Sequence, residues 1–140
     1  MAGLLLGAAA IGTVQGGEAI DHARQYKACL ALVYRTPEQA FESAEAWAGK
    51  GGGHSARHCA ALALVELGSL VQAAERLETL AGELPPDSRV RPAELLAQAA
   101  NVWLLAGILG RAERAIEMAA RMAPADTAIL VDKARILAEG

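Results

Sequence analysis

Few residues of this 140-residue chain have the types and spacing to do chemistry. Cys29 and Cys59 are its two cysteines. They could close a disulfide, which needs Cα atoms within about 7 Å, or stand apart as two small buried thiols, and their spacing leaves both readings open. His54 and His58 lie four residues apart, with Cys59 beside the second, so two imidazoles could share a helix face and begin a metal site. A third and fourth ligand are not evident unless Cys29 joins, so no metal is expected. Gly53-His54-Ser55-Ala56-Arg57 has part of a nucleophile elbow but lacks its second glycine and the strand before it. Lys50-Gly51-Gly52-Gly53 could hold an anion on backbone N–H groups at a helix start. In a P-loop, however, the lysine follows the glycines, so a flexible turn is the plainer reading. No pair of carboxylates stands out as acid and base. The expectation is a protein with no catalytic residues, no enzyme activity and no cofactor.

Hydrophobic residues make up 54% of the chain and aromatics only 4%, with alanine and leucine dominant. Strong helix formers and few β-branched residues argue for an all-α fold. A net charge of −3 gives no basic footprint for nucleic acid. Arg57, Arg76, Arg89, Arg91, Arg111, Arg114 and Arg121 are scattered among acids, as on solvated helix faces.

Asp21 to Tyr34 reads as a helix with Tyr26, Cys29, Leu30 and Val33 on one stripe. Thr36-Pro37-Glu38-Gln39 is a start signal: Thr36 can cap, Pro37 suits the first helical position, and Gln39 can return a bond. The helix it opens carries Ala40, Phe41, Ala44 and Trp47, and it ends in the glycines from Gly49 to Gly53. Ser55 is expected to cap a helix to about Leu67. After Gly68 an arm runs from about Leu70 to Leu84, where Pro85-Pro86 ends it. Pro92 opens a helix to Ala106, Gly107 turns the chain, and Arg111 to Met122 returns to Pro124. Asp126 or Thr127 caps a last helix, 127–138.

Met1 to Val14 is apolar and uncharged. It is short of the roughly 20 residues that a membrane-spanning helix needs. Its length suits the core of a secretory signal, with Gly16, Gly17 and Ala19 as small residues near a cleavage point. Residues 1–19 are therefore expected to be a signal-like segment, and 20–140 an exported helical domain, in a bacterial periplasm or beyond. The alternative is a cytoplasmic chain with an ordinary N-terminal helix.

One pattern is written twice, 39 residues apart. Ala61, Leu64, Gly68, Leu70, Ala73, Leu77 and Pro85 recur as Ala100, Trp103, Gly107, Leu109, Ala112, Ile116 and Pro124. Self-similarity at such a period marks a repeat architecture. Removing the five residues from Ser88 to Pro92 leaves a 34-residue unit, the tetratricopeptide length. The unit 93–126 supplies Leu96, Ala100, Trp103, Gly107, Ala112, Ile116, Ala119 and Pro124 to that family's pattern. The unit 54–87 supplies Ala61, Leu64, Gly68, Ala73, Leu77 and Pro85, and departs from it at Arg57 and Leu80. A weaker unit, 21–53, has Cys29, Leu32, Ala40, Ala44 and Trp47 but neither the turn glycine nor the final proline. The chain thus resembles the tetratricopeptide repeat family.

That resemblance implies a right-handed superhelical stack of about three antiparallel hairpins closed by a C-terminal capping helix. It also implies a concave groove lined by the first helix of each hairpin: Tyr26, Leu30 and Val33, then His58, Leu62 and Val65, then Ala97, Asn101 and Leu104. Of the Lys, Arg and Asn clamp used by chaperone-tail-binding members, only Asn101 fits. Cys29 and Cys59 fall on first helices that such a stack sets side by side. The implied function is a scaffold that binds a protein or peptide partner. The alternative is a self-associating homo-oligomer within a cell-envelope complex.

Overall fold

The computed structural model describes Gly3 and residues 19–140. The signal-like stretch expected over residues 1–19 lies almost entirely outside the described residues. Seven α-helices, and no strand, occur among the described residues. Their starts follow local chemistry. The Asp21 carboxylate accepts the Arg24 N–H at 3.1 Å and opens α1 (His22–Val33). Such a bond satisfies one of the donors that a helix start leaves unpaired. Pro37 stands at the first position of α2 (Pro37–Trp47). Thr36 departs from the expected cap: its hydroxyl donates to Gln39 Oε1 at 3.4 Å and makes no bond to the backbone. The preset φ of Pro37 and the acid Glu38 in the first turn remain to start this helix.

The glycine-rich join after α2 also differs from expectation. A wide turn, Ala48–Gly52, leads straight into α3 (Gly53–Glu66), so the helix begins two residues before Ser55. Gly51 at φ +88° and Gly53 at φ +55° reverse the chain without any side-chain cap. Gly52 lies under the Trp47 ring, where an added Cβ would come 2.8 Å from indole carbons and 2.7 Å from the Ala56 Cβ. α4 (Leu70–Glu83), α5 (Pro92–Leu105), α6 (Leu109–Met122) and α7 (Thr127–Ala138) follow. Asp126 caps α7 by accepting the Ile129 N–H at 3.2 Å.

Helices α1–α2, α3–α4 and α5–α6 pair as consecutive neighbours, α2 packs on α3, α4 on α5, and α7 on α6 and α5. The two clear turns are alike to the hydrogen bond. In the first, Gly68 (φ +81°) donates to Val65 O at 3.0 Å and Ser69 to Leu64 O at 2.9 Å. In the second, Gly107 (φ +77°) donates to Leu104 O at 3.0 Å and Ile108 to Trp103 O at 2.9 Å.

The core falls into two clusters joined by Phe41, which packs against both. The smaller gathers Cys29, Val33, Ala40, Ala44, Trp47, Ala56, Cys59, Ala60 and Ala63 from α1, α2 and α3. The larger spans α3 to α7 around Leu77, Leu80, Leu95, Trp103 and Ile116. Cys29 and Cys59 are joined as a disulfide across α1 and α3, with Cα atoms 6.3 Å apart and both residues buried.

Two stability predictions follow from this frame. Gly107→Val puts a β-branched residue at φ +77° and should destabilise by a kcal/mol or more, whereas Gly110→Ala, inside α6 with room for a methyl, should stabilise by up to about 1 kcal/mol. Thermal melts of both variants check the pair, and equal shifts would remove Gly107 from the turn. Reduction, or Cys29→Ala with Cys59→Ala, opens a 30-residue loop and should lower urea-unfolding stability by roughly 3 kcal/mol. The double variant should then be indifferent to dithiothreitol.

Candidate functional site

The residues expected to line a groove lie on α1, α3 and α5, and the structure sorts them into three kinds. Leu30, Leu62, Val65 and Leu104 are half-buried apolar side chains leaning on the two core clusters. Val33, His58 and Ala97 are buried, at 1%, 4% and 6% exposure, so they form the floor rather than the lining. Tyr26 and Asn101 are half-buried and already engaged by other side chains of this chain.

His58 links three helices. Its Nε2 meets Gln98 Oε1 of α5 at 2.6 Å, and its Nδ1 meets the Tyr26 hydroxyl of α1. Since Gln98 presents an acceptor, the imidazole proton sits on Nε2, and Nδ1 accepts from the Tyr26 O–H. The rings of Tyr26 and His58 stand 5.9 Å apart, tilted by 44°. Burial pushes the His58 pKa below its ordinary 6.5, against smaller pulls from the Gln98 bond and the Glu94 charge. Burial pushes Tyr26 up to about 12, and Glu94 adds to the rise. Both groups are therefore neutral near neutral pH, and their hydrogen bonds tie α1, α3 and α5 together. Both His58 nitrogens are occupied and Cys59 is bonded to Cys29, so neither offers a metal a lone pair. Among the described residues, no three His, Cys, Asp or Glu side chains gather as metal ligands would.

At the other end, α7 closes over Asn101. The Asn101 amide donates to Asp132 Oδ2 at 3.1 Å, its oxygen accepts from Arg135, and Arg135 also meets Asp132 Oδ1 at 3.2 Å. Of the expected lining, Leu30, Leu62, Val65 and Leu104 are left as half-buried apolar side chains.

The opposite side holds a feature that sequence reading missed. Trp103 is 1% exposed, yet its indole N–H reaches Glu78 Oε1 at 2.6 Å. Arg111 binds the other Glu78 oxygen at 2.9 Å and lays its guanidinium 4.1 Å from the Trp103 ring centroid. The signal was present in α6: Arg111, Arg114, Met118 and Met122 recur at helical spacing on one stripe. Gln98 and Glu94 were missed as well, because their roles depend on which helices become neighbours.

Comparison with known proteins brings no match: no family model, curated protein or solved structure matches the chain.

Burial of His58 makes stability depend on pH. Because folding lowers the His58 pKa, the unfolded chain binds the proton first, and stability should fall as pH drops below 6.5 toward the folded value. The slope contributed by this group should reach at most about 1.4 kcal/mol per pH unit. Urea unfolding of His58→Gln and the parent from pH 8 to 5 checks it; parallel curves would mean that His58 titrates alike in both states.

Proposed function

We propose that the chain is a small tetratricopeptide-like interaction module: about three helical hairpins in a right-handed superhelical stack, closed by α7, with no catalysis of its own. In this reading a protein or peptide partner lies along the face shared by α1, α3 and α5. The observation that carries it is the repeated hairpin turn. Gly68 and Gly107, 39 residues apart, take the same left-handed backbone angle and the same pair of hydrogen bonds. Stacked units of this kind use their inner face for binding. Four half-buried apolar side chains on the three first helices, Leu30, Leu62, Val65 and Leu104, suit an extended segment or the apolar face of a helix. The buried Cys29–Cys59 disulfide supports an oxidising compartment, such as a periplasm, as the working place.

A second reading, self-association, has its own observation. Terminal units of helical stacks carry a polar outer face. On α7, however, Leu130, Val131 and Leu137 are 42%, 62% and 45% exposed. Such a stripe favours a copy-to-copy contact.

One experiment separates the two. A photoreactive phenylalanine analogue replaces Leu62 or Val131 in the full chain, and cells are irradiated. The first reading expects a Leu62 adduct with a different protein. The second expects a Val131 adduct at twice the mass of the chain. Irradiation that yields neither, from folded protein, retires both.

A further inference from the structure

A binding cleft opens between α4 and α6, on the side away from the groove, with a volume of about 600 Å³. Its Glu78 end holds Arg111 and Arg114, and its other walls are Leu84, Leu96, Met118 and Met122. The repeat supplies an internal control. Subtracting the 39-residue period from Leu96, Arg111, Arg114, Ala115 and Met118 gives Arg57, Gln72, Glu75, Arg76 and Thr79. Those five residues line a cleft of their own, of about 350 Å³, in the preceding hairpin. The repeat thus places the α5–α6 half of the larger cleft and the α3–α4 lining of the smaller one in the same register, while the α4 wall belongs to the larger cleft alone. The first copy is polar and smaller, while the second is apolar, larger and carries an arginine where the first has Glu75. The packing therefore tolerates polar residues at these positions, and the apolar lining of the second cleft is not a requirement of the stack.

Two further observations say what fits. Arg111 is held by Glu78 and the Trp103 ring, whereas Arg114 makes no ion pair with any described residue. A cation beside an apolar trough complements an anionic head on an apolar tail. Gly82 lies inside α4 at the cleft wall, and a Cβ there would meet nothing within 4 Å. Glycine within a helix costs about 1 kcal/mol against alanine. No turn or close contact requires it here, and its missing side chain leaves that part of the cleft wall bare. From Arg114 to Met122 the stripe is about 12 Å long by helical rise. Met118 and Met122 are half exposed, and their flexible thioethers adapt to an apolar chain.

We infer that the α4–α6 cleft binds a single-chain carboxylate amphiphile of medium length, a free fatty acid, with its head on Arg114 and its tail along Leu84, Leu96, Met118 and Met122. This site is separate from the proposed partner groove and stands whether or not that groove is used. The volume lies in the range of small-molecule sites.

Calorimetric titration of the full oxidised chain with decanoate, below its micelle concentration, and with decanol tests the assignment. One saturable site is expected for decanoate, with decanol weaker. Arg114→Glu should weaken decanoate by about fivefold or more and leave decanol within about twofold. Met118→Thr with Met122→Glu copies the residues found at positions 79 and 83, so the fold should hold while both ligands are lost. In parallel, ¹³C-methyl spectra of the parent should show decanoate moving the Met118 and Met122 signals. Absence of saturable binding, equal decanoate affinity in Arg114→Glu, binding retained by the folded double variant, or unmoved Met118 and Met122 signals would each overturn the proposal.

Discussion

Where helices meet in this chain, the touching side chains are mostly alanine. Ala40 and Ala44 of α2, Ala56 and Ala60 of α3, Ala73 and Ala74 of α4, and Ala99, Ala100, Ala112 and Ala119 of α5 and α6 are all at most 1% exposed. Small side chains let helix backbones approach closely, and burying alanine loses no rotamer freedom. Each alanine also removes little apolar area from water, so the hydrophobic gain per contact is modest. Larger side chains such as Trp47, Leu77, Leu80, Leu95, Trp103 and Ile116 fill the space between these alanines. A disulfide ties down α1, which buries only Cys29 and Val33.

Close packing raises the stakes for every polar atom trapped between hairpins. Among the described residues, none of the buried side-chain nitrogens or oxygens lacks a partner. The solutions lie at the seams. The Trp47 indole N–H reaches His22 at 3.0 Å, Trp103 reaches Glu78, and His58 spans Tyr26 and Gln98. On the second helices a latch recurs. Arg76 of α4 binds Glu45 of α2 at 2.7 Å with its guanidinium 5.5 Å from the Phe41 ring centroid, and Arg111 of α6 makes a similar contact out of register, with Glu78 of α4 and the Trp103 ring of its own hairpin. Half-exposed ion pairs of this sort add little to stability. Their geometry is directional, however, and fixes how one hairpin is seated on the next.

The elements were legible because their signals are local. Proline at positions 37 and 92, glycine at 68 and 107 and the cap at Asp126 each act within one turn of chain, and the helices start or stop beside them. The glycine run misled, because three adjacent glycines place no unique boundary, and Ser55 looked like a better cap than the backbone needed. The candidate groove was legible as a stripe but not as a depth. Whether a residue on a first helix lines the surface or the floor depends on the next helix. Thus Leu62 is half-buried, whereas His58, one turn earlier, is covered by α1 and α5. Asn101 was placed in the expected groove without its partners, because Asp132 and Arg135 are about 30 residues away.

A duplicated unit separates what packing demands from what it permits. At Ala61 and Ala100, Gly68 and Gly107, and Ala73 and Ala112, both copies hold the same residue, and those positions are buried contacts or left-handed turns. At the positions where the copies differ, the scaffold has accepted either choice. His58 corresponds to Ala97, Leu62 to Asn101, Glu75 to Arg114 and Thr79 to Met118. The first two pairs lie on first helices and the last two on second helices, where Glu75 and Thr79 line the smaller cleft and Arg114 and Met118 the larger. The first helices therefore change from an apolar Leu62 to an Asn101 engaged by α7, while the second helices change from a polar cleft lining to an apolar one. Binding surfaces on a repeat need residues that the packing does not constrain, and in this chain those residues lie on two faces of a single stack.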